Sequence, residues 1–126
     1  MTMIIKDENW VYERLKYTFN HYDYCLSGLC KDEDRFCGCF LASEWGEPNS
    51  DYLIVYFDLD EECEEYLEDY EKYYHHWCWK DGKRDFPWDG RDLKPFGEKW
   101  KGRNPILEKC GIPQGQKYPI DVKNFV

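Results

Sequence analysis

The segment YLIVYFDLDEECEEYLEDYE, residues 52–71, passes from an apolar run directly into an acidic one. Residues 52–57 are apolar at every position, which predicts a β-strand that is covered on both faces. The run from Asp58 to Glu71 then carries nine carboxylates and no basic side chain. Either Asp58 or Asp60 can cap a helix here, and the glutamates that follow suit the positive end of a helix dipole. The segment therefore predicts a central strand followed by an acidic helix.

The acidic helix is predicted from about Glu61 to Trp79, because apolar residues recur there at helical spacing. This apolar stripe consists of Cys63, Tyr66, Leu67, Tyr70, Tyr74, Trp77 and Cys78. On the opposite side only Lys72 offers a local partner, to Glu68 at i, i+4, and such a pair contributes about 0.2–0.5 kcal/mol. Most carboxylates of the helix therefore need solvent or cations from elsewhere in the chain or from a partner.

The first half of the chain predicts one further helix and a hairpin. Asp7 can cap a helix over residues 8–21, whose Val11, Leu15, Phe19 and Tyr22 share one face. Residues 25–34 are predicted to be irregular because Ser27-Gly28 and a charged turn interrupt them. Residues 36–45 and 52–57 predict two strands that are joined by the turn-forming residues 46–50.

The last third of the chain predicts little regular structure. Repeated Gly and Pro favour an extended, partly basic loop over residues 80–103. Asn104 and Pro105 open a short helix, as N-cap and first helical residue, and residues 118–122 predict an edge strand. The fold class expected is α+β: a small single domain over residues 1–126, with a β-hairpin or three-stranded antiparallel sheet packed against the long acidic helix and the N-terminal helix.

Composition supports a folded protein without a membrane span. The chain has 126 residues, of which 6 Trp, 11 Tyr and 7 Phe supply large apolar surface. No stretch approaches the roughly 20 apolar residues of a transmembrane helix, and the N-terminus lacks the pattern of a signal peptide. These features predict a cytoplasmic location, where the seven Cys residues would be mostly reduced thiols.

Charge is distributed unevenly along the chain. Residues 1–79 carry 6 basic and 19 acidic side chains, whereas residues 80–126 carry 11 and 7, within a formal net charge of −9. Direct nucleic-acid binding is disfavoured because it requires a basic face. Two interpretations remain open: the basic third neutralises the acidic helix internally, or the helix meets a basic partner.

The chemistry-bearing residues give one metal hypothesis and no enzyme motif. Cys25, Cys30, Cys37 and Cys39 provide four thiols that could hold a structural zinc ion, although Cys37-x-Cys39 is poor ligand spacing and buried free thiols are the commoner state. The three histidines and seven cysteines form no recognisable nucleophile–base arrangement, and no phosphate-binding or nucleophile-elbow motif occurs. We therefore expect neither an enzyme nor a resident cofactor.

The dense carboxylate face is typical of a surface that meets a positively charged protein. The residues expected to bind such a partner are Glu61, Glu62, Glu64, Glu65, Glu68, Asp69, Glu71 and Tyr73. In size, acidity and lack of catalytic motifs the chain resembles two groups of proteins: immunity or antitoxin proteins, and phage anti-defence inhibitors, which include anti-CRISPR proteins that mimic nucleic acid. The resemblance implies an inhibitor of a basic, nucleic-acid-handling partner such as a nuclease.

A second hypothesis concerns the basic part of the chain. The aromatic-rich loop and hairpin could line a pocket for a small anionic ligand such as a nucleotide. The cations available for it are Lys83, Arg84, Arg91, Lys94, Lys99, Lys101 and Arg103.

Overall fold

The computed structural model describes residues 3–21, 24–43, 50–74, 79–80, 83–84 and 94–124. Its strands are β1 Met3–Asp7, β2 Leu15–His21, β3 Cys25–Asp32, β4 Arg35–Leu41, β5 Asp51–Phe57, β6 Trp79–Lys80 and β7 Lys83–Arg84. Its helices are α1 Glu8–Arg14, α2 Glu61–Tyr74, α3 Lys94–Trp100 and α4 Pro105–Lys109, followed by a short 3₁₀ helix Val122–Asn124. The expected α+β class is confirmed.

The main sheet is larger than the sequence predicts. Five antiparallel strands follow the order β1-β5-β4-β3-β2, and β6 pairs with β7 in a separate two-stranded ribbon. The expectation of a hairpin or three-stranded sheet is therefore wrong in strand number. The predicted pairing of β4 with β5 is correct, with Cys39 opposite Ile54 and Phe36 opposite Phe57.

Strand β5 lies between β1 and β4 and is covered on both faces, as its apolar sequence predicts. Tyr52 and Ile54 pack on the face that α1 covers, together with Val11. Leu53 and Val55 point to the opposite face, where α4 and the C-terminal segment cover them. The period of two along β5 therefore divides the core into two layers.

Helix α1 ends much earlier than predicted. Asp7 caps it as expected, accepting a hydrogen bond from the backbone N–H of Trp10 at 3.0 Å. The chain then turns at Leu15 and continues as edge strand β2 rather than as a helix to His21. The prediction of a helix to residue 21 was wrong because the apolar residues Leu15 and Phe19 fit both a helical period and an alternating one.

Strand β3 replaces the irregular segment that was predicted around Gly28. A Cβ atom at Gly28 would lie 2.4 Å from the carbonyl oxygen of Tyr17, so glycine here permits close approach of β2 rather than forming a turn. Residues 27–30 are fully buried, and only residues 33–34 form the turn to β4. The prediction of an irregular segment is therefore wrong for most of its length.

The C-terminal third contains one confirmed helix and two corrections. Asn104 caps α4 as predicted, accepting hydrogen bonds from the N–H groups of Ile106 and Leu107 at 3.0 and 3.3 Å. Residues 94–100 form helix α3 inside the predicted loop, since Pro95 lies in the first turn, where its missing N–H does no harm. The predicted edge strand at 118–122 is wrong: no strand is described there. No helix within the described ranges is long and apolar enough to cross a membrane.

Candidate functional site

Helix α2 begins at an aspartate that is held from two sides. The Asp60 carboxylate accepts a hydrogen bond from the N–H of Cys63 at 2.8 Å, which caps the helix as predicted. Lys109 of α4 lies 2.8 Å from the other oxygen of the same carboxylate. The Lys109 ammonium, helped by the Cys63 N–H, holds the pKa of Asp60 well below its ordinary value. The start of the acidic helix is thus anchored to α4.

The buried side of α2 is aromatic and fixes the rotation of the helix. Tyr66 and Tyr70 are 6% and 5% exposed and stack with ring centroids 6.0 Å apart. The Tyr70 hydroxyl donates a hydrogen bond to the carbonyl oxygen of Thr18, which joins α2 to β2. Cys63 and Tyr66 pack in the same cluster as Leu29 from the middle of the sheet. Because this side is fixed, each glutamate has a defined direction.

Lys99 of α3 pairs with two carboxylates on one flank of α2. Its ammonium nitrogen lies 2.8 Å from a carboxylate oxygen of Glu65 and 2.8 Å from one of Asp69. The indole N–H of Trp100 donates a further hydrogen bond to Asp69 at 2.9 Å. Burial raises the pKa of Asp69, but the bonds from Lys99 and Trp100 outweigh that effect, so its pKa lies below the ordinary value.

Arg103 joins the same flank to α4. Its guanidinium contacts Glu62 at 3.2 Å and Glu108 at 2.7 Å, and its Nε donates to Glu108 at 3.1 Å. The Arg103 guanidinium holds the pKa of Glu108 below its ordinary value. We call the cations Lys99, Arg103 and Lys109 the basic clamp, and Glu62, Glu65 and Asp69 the inner flank of α2.

Three glutamates lie on the exposed face of α2 next to the inner flank, and we call Glu61, Glu64 and Glu68 the outer row. Their i, i+3 and i+7 spacing places them on one helix face, and all three are exposed. No hydrogen bond or ion pair joins their side-chain carboxylates to any other residue that the structure describes. The outer row therefore presents three charged carboxylates to solvent.

The remaining predicted contact residues lie at the end of the helix. Glu71 accepts a hydrogen bond from the Tyr17 hydroxyl at 3.3 Å and is exposed. Tyr73 lies in the last turn of α2, and its side chain is outside the described residues. The same holds for Trp77 and Cys78, so the predicted extension of α2 to Trp79 falls partly outside the description, and Trp79 itself is in β6.

The structure shows where the two open interpretations of the charge pattern each apply. Two cations of the clamp contact the inner flank from far along the chain: Lys99 lies 34 positions beyond Glu65, and Arg103 lies 41 positions beyond Glu62. Lys99 and Arg103 pair with the three carboxylates of that flank, and within the described residues no ion pair reaches the outer row. Internal charge pairing is therefore the correct interpretation for the inner flank and does not extend to the outer row. Sequence reasoning named Lys99 and Arg103 only as ligand-binding cations and missed this pairing.

The four cysteines of the zinc hypothesis meet on the α1 face of the sheet. Cys30 is directly opposite Cys37, and Cys39 is opposite Gly28, beside which the Cys25 sulfur lies. All four are buried free thiols. Within the described ranges, however, no three Cys, His, Asp or Glu side chains are arranged to hold a metal ion. The geometry gives zinc no support and fits a packed thiol layer.

The buried cysteine thiols are also poor nucleophiles. Burial raises the pKa of Cys63 to about 11 and that of Cys110 to about 12, so both remain protonated at neutral pH. Hydrogen bonding from its neighbours lowers the pKa of Cys30, but this sulfur is fully buried. The side chain of His21 and both His75 and His76 lie outside the described residues.

No protein-family model, curated protein or solved structure matches this chain. A function must therefore be argued from the charge and geometry of α2 and its surroundings.

Proposed function

We propose that this chain is an acidic inhibitor that binds the basic surface of a nucleic-acid-handling protein, such as a nuclease, through the outer row of α2. The observation that carries the proposal is the division of α2 into a flank whose carboxylates pair with cations and an exposed row of carboxylates without such pairs among the described residues. Glu61, Glu64 and Glu68 are the principal contacts, and Glu71 extends the row toward β2.

The outer row has the physical properties that such contact requires. Consecutive members are three or four residues apart, so their Cα atoms rise by about 5 Å along the helix. A regular row of negative charge can occupy a basic groove in place of nucleic-acid phosphates. Complementary charge of this kind accelerates association and is weakened by salt.

The ion pairs on α2 support a smaller set of contact residues than the one expected from the sequence. Glu62, Glu65 and Asp69 hold α3 and α4 against α2, so their carboxylates already have cations. A partner that used them would have to displace Lys99 or Arg103. We therefore assign the inner flank a structural role and the outer row the binding role.

The proposed class is that of small cytoplasmic inhibitors, comparable to immunity proteins and to phage anti-defence proteins that mimic nucleic acid. The chain itself binds no nucleic acid in this account, since its exposed helix face is acidic. The alternative of a small anionic ligand loses two of its cations, because Lys99 and Arg103 contact carboxylates. Arg91 lies outside the described residues, as do the side chains of Lys83 and Arg84.

The proposal is tested by reversing charge on the outer row and leaving the clamp intact. The variant E64K/E68K would be compared with wild type in affinity capture from host lysate at low and high salt, with mass-spectrometric identification. We expect wild type to capture a basic nucleic-acid-binding protein, and we expect capture to fall with salt and to disappear in the variant.

A matched control is the variant D34K/E98K. Asp34 lies in the β3–β4 turn and Glu98 in α3; both are exposed and make no ion pair within the described chain. This control changes the net charge by the same amount as E64K/E68K, so equal loss of capture in both would mean that only total charge matters. Capture that survives E64K/E68K would contradict the proposal.

A further inference from the structure

A cavity lies beneath α2, between the end of β2, helix α3 and the start of α4. Its volume is about 170 Å³. Four aromatic side chains line it: Phe19, Tyr66, Phe96 and Trp100. The polar part of the lining includes Asn20, Asn104, Gln114 and Arg103. The cavity is thus an aromatic box with an amide-bearing edge.

The aromatic walls are held by edge contacts centred on one ring. Tyr66 meets Trp100 edge-on with ring centroids 4.9 Å apart, and it lies 5.5 Å from Phe96 and 6.1 Å from Phe19. Tyr66 and Trp100 are each almost fully buried. Such a box is preorganised, and aromatic faces attract cations through their quadrupole.

The charge around the cavity favours a cation over an anion. Among the described residues that line the cavity, Arg103 alone is charged, and its guanidinium already contacts the carboxylates of Glu62 and Glu108. Behind the aromatic wall, Asp69 is bonded to the Trp100 indole and paired with Lys99, which also contacts Glu65, so each of these two cations meets two carboxylates. An anionic ligand would therefore meet a cation that is already paired and carboxylates that repel it.

The size of the cavity selects a single flat group. A cavity of about 150 Å³ holds one benzene ring, so 170 Å³ has room for one flat group, whether a side chain or the base of a nucleotide. A guanidinium is planar, stacks on aromatic rings and carries five N–H donors. The side-chain oxygen of Asn20 can accept one of them, whereas those of Asn104 and Gln114 already accept backbone N–H bonds. Lysine offers a compact, strongly hydrated charge that stacks less well.

We propose that this cavity receives an arginine side chain of the basic partner. The inference rests on the proposed function: the outer row attracts a basic surface, and the cavity anchors one residue of it. Tyr66 belongs to the same helix as the outer row, so both sites are positioned by α2. Buried arginine and aromatic residues commonly dominate binding energy in protein interfaces.

The test is a titration of ¹⁵N-labelled protein with the blocked peptide acetyl-Gly-Arg-Gly-amide. We expect shifts of the Trp100 indole N–H and of the amides of Gly97 and Gly102, which line the cavity. The peptide with citrulline, which has nearly the same shape without the charge, should bind about tenfold more weakly. Adenosine monophosphate, as an anionic probe of similar flatness, should not compete.

Glycine substitutions supply a variant that blocks the cavity and a matched control. A Cβ at Gly97 would meet no atom within 4 Å, so G97L adds a side chain at the cavity wall without a backbone clash. A Cβ at Gly115, outside this cavity, is equally unobstructed. We expect G97L to weaken the arginine peptide at least about tenfold and G115L to leave it unchanged, with both spectra still dispersed.

Three results would overturn the inference: absence of arginine-peptide binding, equal binding of the citrulline peptide, or binding that G97L does not weaken. Binding of adenosine monophosphate at the same resonances would point to an anionic ligand instead. If the peptide fails while E64K/E68K still abolishes partner capture, only the anchor is wrong. If the peptide binds and the outer row has no effect on capture, the proposed function fails and the arginine site remains.

Discussion

The two sides of helix α2 carry similar residues and have different surroundings. On the inner flank, Glu62, Glu65 and Asp69 each lie within 3.2 Å of a cation from α3 or the segment that follows it. On the outer row, Glu61, Glu64 and Glu68 have no such partner among the described residues. The comparison shows that a run of carboxylates is not one functional unit, because the fold of distant segments decides which of them stay available.

The inner flank also shows why exposed ion pairs can matter for architecture more than for stability. Side chains of Glu65 and Lys99 are 55% and 47% exposed, and such exposed pairs add little to stability because water and salt screen them. Their bonds nevertheless fix the position of α3 next to α2. We expect most of the stability of this junction to come from the buried rings beneath the pairs.

The largest expected effect concerns those rings. Trp100→Ala removes a 5% exposed side chain from its contact with Tyr66 and leaves Asp69 without the indole donor. We expect the free energy of unfolding to fall by about 3–5 kcal/mol, as for other buried aromatic truncations. Urea denaturation of the variant and of wild type measures this loss. A loss below about 1 kcal/mol would mean that α3 is not an integral part of the core.

A smaller effect on stability is expected from Asp69, the inner-flank carboxylate that Lys99 and Trp100 both contact. Asp69→Asn keeps the shape of the side chain and removes the charge that Lys99 and Trp100 both contact. We expect a loss of about 1–2 kcal/mol in the free energy of unfolding, since Asp69 is only 21% exposed. The matched change Glu68→Gln on the outer row should cost nothing. Equal losses from the two variants would erase the distinction between the flanks.

As pH falls, the ion pairs of the basic clamp should break before the core unfolds. The pKa values of Asp69 and Glu108 are lower in the folded state than in the unfolded chain. Their charged forms therefore stabilise the fold above the unfolded pKa of about 4, and this contribution is lost as pH falls through the folded pKa values.

The measurement for this prediction is urea denaturation between pH 7 and pH 3. Stability should decline below about pH 5, and Asp69→Asn should flatten the decline because it removes one of the titrating groups. An unchanged pH profile in Asp69→Asn would show that the Asp69 carboxylate does not pair with the basic clamp.

The smallest effect on stability is expected from the outer row itself. The variant E64Q/E68Q removes like charges that are four residues apart on one helix face. We expect a change of less than about 0.5 kcal/mol in the free energy of unfolding, because relief of the Glu64–Glu68 repulsion offsets the lost attraction between Glu68 and Lys72. Thermal or urea unfolding beside D34N/E98Q provides the comparison. Clear destabilisation would reveal a structural contact for these carboxylates and weaken their assignment to binding.

Local sequence patterns predicted the elements whose signals are unambiguous. The apolar run at residues 52–57, the Asp60 cap and the Asn104-Pro105 helix start all depend on neighbouring residues, and all three are confirmed. Residues 15–21 were mispredicted because their apolar residues satisfy two periods at once. Gly28 was read as a turn residue, although its role is to let β2 approach β3, which only the pairing of strands reveals.

The division of α2 could not be predicted from the sequence. The helical period places Glu62, Glu65 and Asp69 on one side, but nothing local indicates that Lys99 and Arg103 lie next to them. That juxtaposition requires α3 and α4 to return across the sheet face that α2 also covers. The sequence was sufficient to single out the acidic helix and insufficient to say which half of its charge is neutralised.

The most direct test of the account sets the two sides of α2 against each other in one capture experiment. Wild type, E64Q/E68Q and E62Q/E65Q would be compared at the same salt concentration, each variant losing two charges. The account predicts that E64Q/E68Q loses most of the captured basic partner and that E62Q/E65Q retains it. Retention by E64Q/E68Q with loss in E62Q/E65Q would contradict the central claim that the outer row is the binding surface.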